Sequence, residues 1–143
     1  MNQSKAVVGQ RFPESQFTVS AARAEEYVIA LGLDPEEGWS PVPGMPVPPG
    51  FLMYVSTYGA ETVHDAIGLD FRHGVYGGMD VEYHAPVRIG DTLTVSPVIS
   101  GVSTKEGKAG SLTFVELTCE YLLPGGRLAV RERSTTIQTG GPA

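Results

Sequence analysis

Three histidines, one cysteine and a few tyrosines and carboxylates are the groups in this sequence that could move a proton or attack a substrate. His84 closes an alternating run in which Asp80 and Glu82 share its phase, so all three fall on one strand face. Carboxylates beside an imidazole raise its basicity, which makes His84 a candidate acid/base group. The same pattern also describes a solvent face or a subunit contact. Tyr76 could donate a proton or a hydrogen bond, or pack as an aromatic at a strand start. Gly77-Gly78 beside it is no phosphate loop, because no Lys-Ser/Thr follows, and it reads as a bulge or a close backbone approach. His64 and Asp65 are neighbours on a helix, about 100° apart, and so form no dyad. With Glu61 they read as a solvated helix face. His73 lies in a loop before a strand. Cys119 falls on an inward strand face and reads as core rather than as a nucleophile. The histidines lack ligand spacing and Cys119 has no second cysteine, so no metal site is expected. No other cofactor is expected either.

The elements that must position these groups follow from periodicity. A short strand at 16–19 precedes Ser20, a good helix N-cap, and a helix over about 21–31 that Gly32 can end. Six prolines between 33 and 50 make that stretch a stiff, irregular loop. Pro49-Gly50 then opens a second helix, residues 51–67, whose apolar positions Leu52, Val55, Gly59, Val63 and Ala66 recur at helical spacing. Phe51, Tyr54, Tyr58 and Ile67 widen that face. Ser56 and Thr57 near its start could bond a ligand or bond back to the helix. Four strands follow. Val75, Met79, Val81 and Tyr83 share one face of the first, and Pro97 marks an edge or bulge in the second. Residues 105–110 are the hairpin loop, and Thr113, Val115, Leu117, Cys119 and Tyr121 share a face of the third. The last runs from about 127 to 138. An antiparallel sheet needs cover for its apolar face, and residues 51–67 are the long apolar helix available. The expected fold is α+β, a hotdog: a sheet wrapped around a central helix.

Length and composition narrow the function. A chain of 143 residues is one domain, with 1–12 and 139–143 expected to be flexible. Ten basic and 16 acidic residues give a net charge of −6, which argues against a nucleic-acid binder and a polybasic membrane-surface protein. A lone cysteine fits a reducing compartment, and the first residues lack the apolar stretch of a signal peptide. A cytoplasmic location is expected, with no membrane span.

The stretch Tyr83-His84-Ala85-Pro86-Val87-Arg88-Ile89-Gly90-Asp91-Thr92-Leu93 resembles the strand–Pro–Gly-Asp–strand signature of MaoC-like hydratases and dehydratases. The order of Phe17, the Tyr27-x-x-Ala30-x-Gly32 helix, the Pro-rich loop and Pro48-Pro49-Gly50-Phe51-Leu52 is similar to that family's N-terminal-dehydratase branch. That branch includes the acyl-binding, non-dyad subunit of the mycobacterial (3R)-hydroxyacyl-carrier-protein dehydratase. The resemblance implies a hotdog dimer acting on an acyl thioester of coenzyme A or acyl-carrier protein. The reaction would be hydration of a trans-2-enoyl thioester or dehydration of the (R)-3-hydroxy form. It also implies that Gly50, Phe51, Tyr54 and Val55 at the start of the second helix meet substrate. The helix dipole there would favour charge on the thioester oxygen.

Active members carry Asp and His in a Gly-Asp-x-Asn-Pro-x-His pattern after the first helix. Here the region reads Gly32-Leu33-Asp34-Pro35-Glu36-Glu37-Gly38-Trp39. Asp34 stands for the aspartate, and Trp39 is near the place of the histidine. Related fatty-acid dehydratases use a carboxylate in the central helix, where this chain has Val55. A His-Gly-Glu-Gln stretch of some members corresponds to Tyr76-Gly77-Gly78-Met79. The candidate catalytic residues are therefore Asp34, His84 and Tyr76. Arg72 and Arg88 could meet a carrier's phosphates. The expected partner is a second copy or a dyad-bearing MaoC-like subunit, with this chain supplying substrate-binding surface. A hotdog thioesterase using Glu61 or Asp65, or a non-catalytic acyl or hydrophobic-ligand binding protein, are the alternatives.

Overall fold

The computed structural model describes residues 5–34, 36–37, 40–48, 50–52, 65, 67–68, 72–108 and 110–139. Its elements are β1 (Ser15–Thr18), α1 (Ala21–Ala30), β2 (Gly74–Tyr83), β3 (Thr92–Gly107), β4 (Gly110–Leu122) and β5 (Leu128–Thr139). The strands form one antiparallel sheet in the order β1-β3-β4-β5-β2. Of the second helix expected over 51–67, Phe51, Leu52 and Asp65 are helical, and residues 53–64 and 66 lie outside the described residues.

Helix α1 begins where Ser20 accepts the Arg23 amide at 3.1 Å and ends as Gly32 takes a φ of 81°. Its buried residues, Ala24 and Val28, are four apart on one face. Beyond it, the Pro-rich loop is strapped along residues 87–89. Gly44 and Val47 donate to the carbonyls of Ile89 and Val87, and Ile89 donates back to Met45. Arg88, expected as a phosphate contact, instead gives its guanidinium to the Gly44 carbonyl at 3.0 Å.

One boundary differs from expectation. Strand β3 runs on to Gly107, which pairs directly with Gly110, so the hairpin is tighter than a 105–110 loop. Residues 5–12 turn at Val7–Gln10 and make backbone hydrogen bonds beyond the segment: Lys5 donates to Ile67, Gly9 to Ile99 and Phe12 to Pro97. Pro97 lies beyond the part of β3 that β1 pairs, residues 92–95, and its carbonyl accepts the Phe12 amide.

Among the described residues the core has two parts. Val19, Ala24, Phe51, Leu52, Val87, Leu93, Tyr121 and Val130 belong to one. Ile67, Ile99 and Val115 form the other, with Phe12 and Leu117 packed against it. No described helix is long and apolar enough to cross a membrane.

Candidate functional site

Alternation along β4 and β5 brings polar groups into the larger core cluster. Cys119 and Tyr121 share a phase on β4, and Val130 and Glu132 share one on β5. The register sets Cys119 opposite Glu132 and Tyr121 opposite Val130, so all four lie on one sheet face. Arg131 and Arg133, out of phase with Glu132, lie on the other.

Glu132 is 3% exposed. The Tyr121 hydroxyl lies 3.0 Å from its Oε2 and 3.4 Å from the backbone carbonyl of Leu52. Burial pushes the Glu132 carboxyl up to about 7, and the Tyr121 hydrogen bond pulls it back only in part. The same desolvation pushes the Cys119 thiol up to about 12, which keeps it protonated and inert, as a core residue should be. Burial also raises the Tyr121 phenol.

Tyr76 joins this face through a bulge. In β2 the partners run Tyr76 to Thr136, then Gly78 to Thr135, leaving Gly77 as the extra residue. A Cβ on Gly77 would lie 3.1 Å from the Thr135 carbonyl oxygen, so a side chain there would need β5 to give by a few tenths of an ångström. The bulge reverses the strand's phase. Val75, expected to share a face with Met79, moves to the opposite one, and Tyr76 takes its place. Desolvation, and then the charge of Glu132, push the Tyr76 phenol up. Tyr76 itself is 59% exposed.

The turn at residues 50–52 abuts the same cluster. The Phe51 amide donates to the Pro48 carbonyl, and the Phe51 ring meets Tyr27 edge-on, with centroids 5.8 Å apart. Gly50 has a φ of 81°, and a Cβ there would lie 2.6 Å from the Tyr27 hydroxyl. Gly50→Ala is therefore expected to destabilise the protein by about 1–3 kcal/mol, read as a lower urea midpoint. An unchanged midpoint would mean that this turn is not held as described.

The other candidates are scattered. Asp34 lies exposed beyond α1, its Oδ1 accepting the Glu36 amide at 2.9 Å in a local turn. His84 is exposed and 3.3 Å from Glu82. Glu82 also binds Arg131 and Arg133, which places this charged ladder opposite Glu132. Among the described residues no contact joins Asp34 to His84. The carbonyl of His73 accepts both the amide and the hydroxyl of Thr139. Tyr54, Val55, Ser56, Thr57, Glu61 and His64 lie outside the described residues, and Asp65 is exposed. No group of three or more metal-ligating side chains occurs among the described residues.

Residues 6–131 match the family model described as "FAS1-like, dehydratase domain region". The chain belongs to this family of MaoC-like dehydratases. A UPF0336 protein of Streptomyces avermitilis is 29% identical over 116 residues, spanning 72% of this chain and 75% of that relative. The C-terminally truncated HadBC (3R-hydroxyacyl-ACP dehydratase) complex of Mycobacterium tuberculosis superposes with a TM-score of 0.67 at 17% identity. That match covers 96% of this chain and 99% of the other. A MaoC-like dehydratase of Rhodospirillum rubrum gives a TM-score of 0.59 at 18% identity, covering 96% and 95%. The sheet is thus a MaoC-like hotdog sheet. Within this MaoC-like chain, Glu132 is the buried carboxyl that sequence reasoning passed over. Its signal was present: Val130-Arg131-Glu132-Arg133 puts a glutamate in phase with a buried valine and both arginines out of phase.

Proposed function

We propose that this chain is the substrate-binding subunit of an enoyl-thioester hydratase/dehydratase, working with a MaoC-like subunit that carries the Asp/His dyad. The substrates would be trans-2-enoyl or (R)-3-hydroxyacyl thioesters of coenzyme A or acyl-carrier protein. Family membership supports thioester chemistry. The separation of Asp34 from His84 carries the division of labour: one caps a surface turn and the other sits in a charged ladder. Dehydration needs a base for the α-proton and an acid for the departing hydroxyl within reach of one substrate. The sheet also supports pairing. Among the described residues nothing pairs with the outer edge of β2, where Val75, Tyr76, Val81 and Tyr83 are exposed, Tyr83 at 66%. Such an edge presents unpaired backbone groups with which another strand can pair.

The test is to assay crotonyl and longer enoyl thioesters with the chain alone and with a co-encoded MaoC-like partner. Activity is expected only with the partner, and Asp34→Ala and His84→Ala in this chain should leave it within about twofold. Turnover by the chain alone, abolished by either substitution, would overturn the split-site reading in favour of a catalytic homodimer. Release of free thiol would instead indicate a thioesterase, and binding without turnover in every combination a ligand-binding protein.

A further inference from the structure

The hydrogen-bond chain from Glu132 through Tyr121 to Leu52 has a direction that depends on one proton. A tyrosine hydroxyl carries a single hydrogen and can donate to one acceptor at a time. Here two oxygen acceptors compete for it, Glu132 Oε2 at 3.0 Å and the Leu52 carbonyl at 3.4 Å, with the Cys119 thiol a weaker neighbour of the same hydroxyl. We propose that Glu132, Tyr121 and the Leu52 carbonyl form a proton-directed relay that ties the turn at residues 50–52 to the sheet while the carboxyl is protonated and releases it when the carboxyl ionises.

With a proton on Glu132, the carboxyl O–H donates to Tyr121 Oη. The hydroxyl hydrogen is then free to donate to Leu52. With Glu132 ionised, the carboxylate is the stronger, charge-assisted acceptor and takes that hydrogen. The hydroxyl then no longer donates to Leu52, and that link between the turn and the sheet is lost. Among the described residues, the following groups face Glu132. From β4 these are Cys119, held as the thiol, and Tyr121. From β2 they are Val81, its register partner, and the phenol of Tyr76. The arginines on either side of Glu132 in sequence project from the other face, where they bind Glu82 and Glu120. Burial sets the switch near neutral pH, since the carboxyl is pushed up to about 7. Glu132 and Tyr121 are thus positioning residues for Gly50–Leu52. Any effect on ligand binding rests on the thioester reading above.

Two measurements separate the relay from that reading. The first is amide hydrogen exchange of Phe51 and Leu52 in the full chain by NMR from pH 5.5 to 8.5, corrected for intrinsic base catalysis and read where their opening free energy stays below that of the β4 amides, so that it reports local opening and not the pH dependence of global stability. Protection should fall by about five- to tenfold across neutral pH, the worth of one hydrogen bond. It should be independent of pH in Glu132→Gln, and low and independent of pH in Tyr121→Phe. Constant protection in the wild type, or a pH dependence that survives Tyr121→Phe, would overturn the relay; the wild-type profile decides even if both variants fail to fold. The second is binding of crotonyl-CoA at pH 6 and pH 8, alone and with the partner subunit. A pH-dependent exchange profile without binding leaves the relay standing and removes the thioester reading. Binding with a constant exchange profile does the reverse.

Discussion

Between pH 4.5 and 7 the protein is expected to lose about 3 kcal/mol of stability to one group, Glu132, whose ordinary value is 4.5 and whose folded value is about 7. Through that window the folded state keeps a proton that the unfolded chain gives up, so stability falls as pH rises. Below 4.5 both states are protonated, and above 7 both are ionised, so the contribution is flat on either side. The cost is that of a carboxylate 3% exposed, with Tyr121 as its hydrogen-bond donor. Glu82 acts in another window with the opposite sign. Its hydrogen bond to His84, then the charges of Arg133 and Arg131, hold its carboxyl below 4.5, so its contribution is lost as acid protonates it. Cys119 and Tyr121 are raised from alkaline values and act above pH 9. Urea unfolding at pH 5 and 7.5 isolates Glu132: the wild type should be markedly weaker at pH 7.5, and Glu132→Gln should lose most of that difference. An equal pH difference in the variant would assign the effect elsewhere.

How far the sequence reveals this arrangement depends on whether its signals are local. Helix α1 was legible because its start and stop are chemical: a serine hydroxyl for an orphan amide and a glycine for a positive φ. The strands were legible from alternation, and the Gly77-Gly78 bulge from the glycines. Its consequence was not, because one inserted residue exchanges Val75 for Tyr76 on the Glu132 face, and only the pairing with β5 shows where phase is lost. The length of β3 was hidden for a related reason. Lys105, Glu106 and Gly107 look like loop residues, yet they pair with Leu112, Ser111 and Gly110 at the end of the hairpin, where exposed side chains require no apolar alternation. Asp34 and His84 stand out in the sequence by a motif and by neighbouring charge, and neither criterion contains distance. Glu132 was overlooked for the converse reason: flanked by two arginines, it looks like part of a surface ion-pair run until alternation assigns it inward. The phase of a strand is a local property, but which face is buried is settled by what packs against it.

Tyr121 should show the largest effect of any single substitution in this cluster. It is fully buried, touches both the sheet and the turn at residues 50–52, and partners the buried carboxyl. Tyr121→Ala is expected to cost about 4 kcal/mol, because removal of a buried aromatic forfeits its transfer energy and leaves a cavity that a five-stranded sheet can close only in part. Tyr121→Phe keeps the ring and deletes the hydroxyl, so it should cost about 1–2 kcal/mol. The smaller change is the more informative one. Because the Tyr121 hydrogen bond lowers the proton affinity of Glu132, its loss must raise that affinity further. The pH range over which stability declines should then extend upward in Tyr121→Phe, whereas Glu132→Gln should abolish it. Urea unfolding of the three proteins at half-unit steps from pH 5 to 8.5 measures both outcomes. A Tyr121→Phe profile parallel to the wild type would show that the hydroxyl does not favour the ionised carboxyl, and that the two side chains are packed together without sharing a proton's energetics.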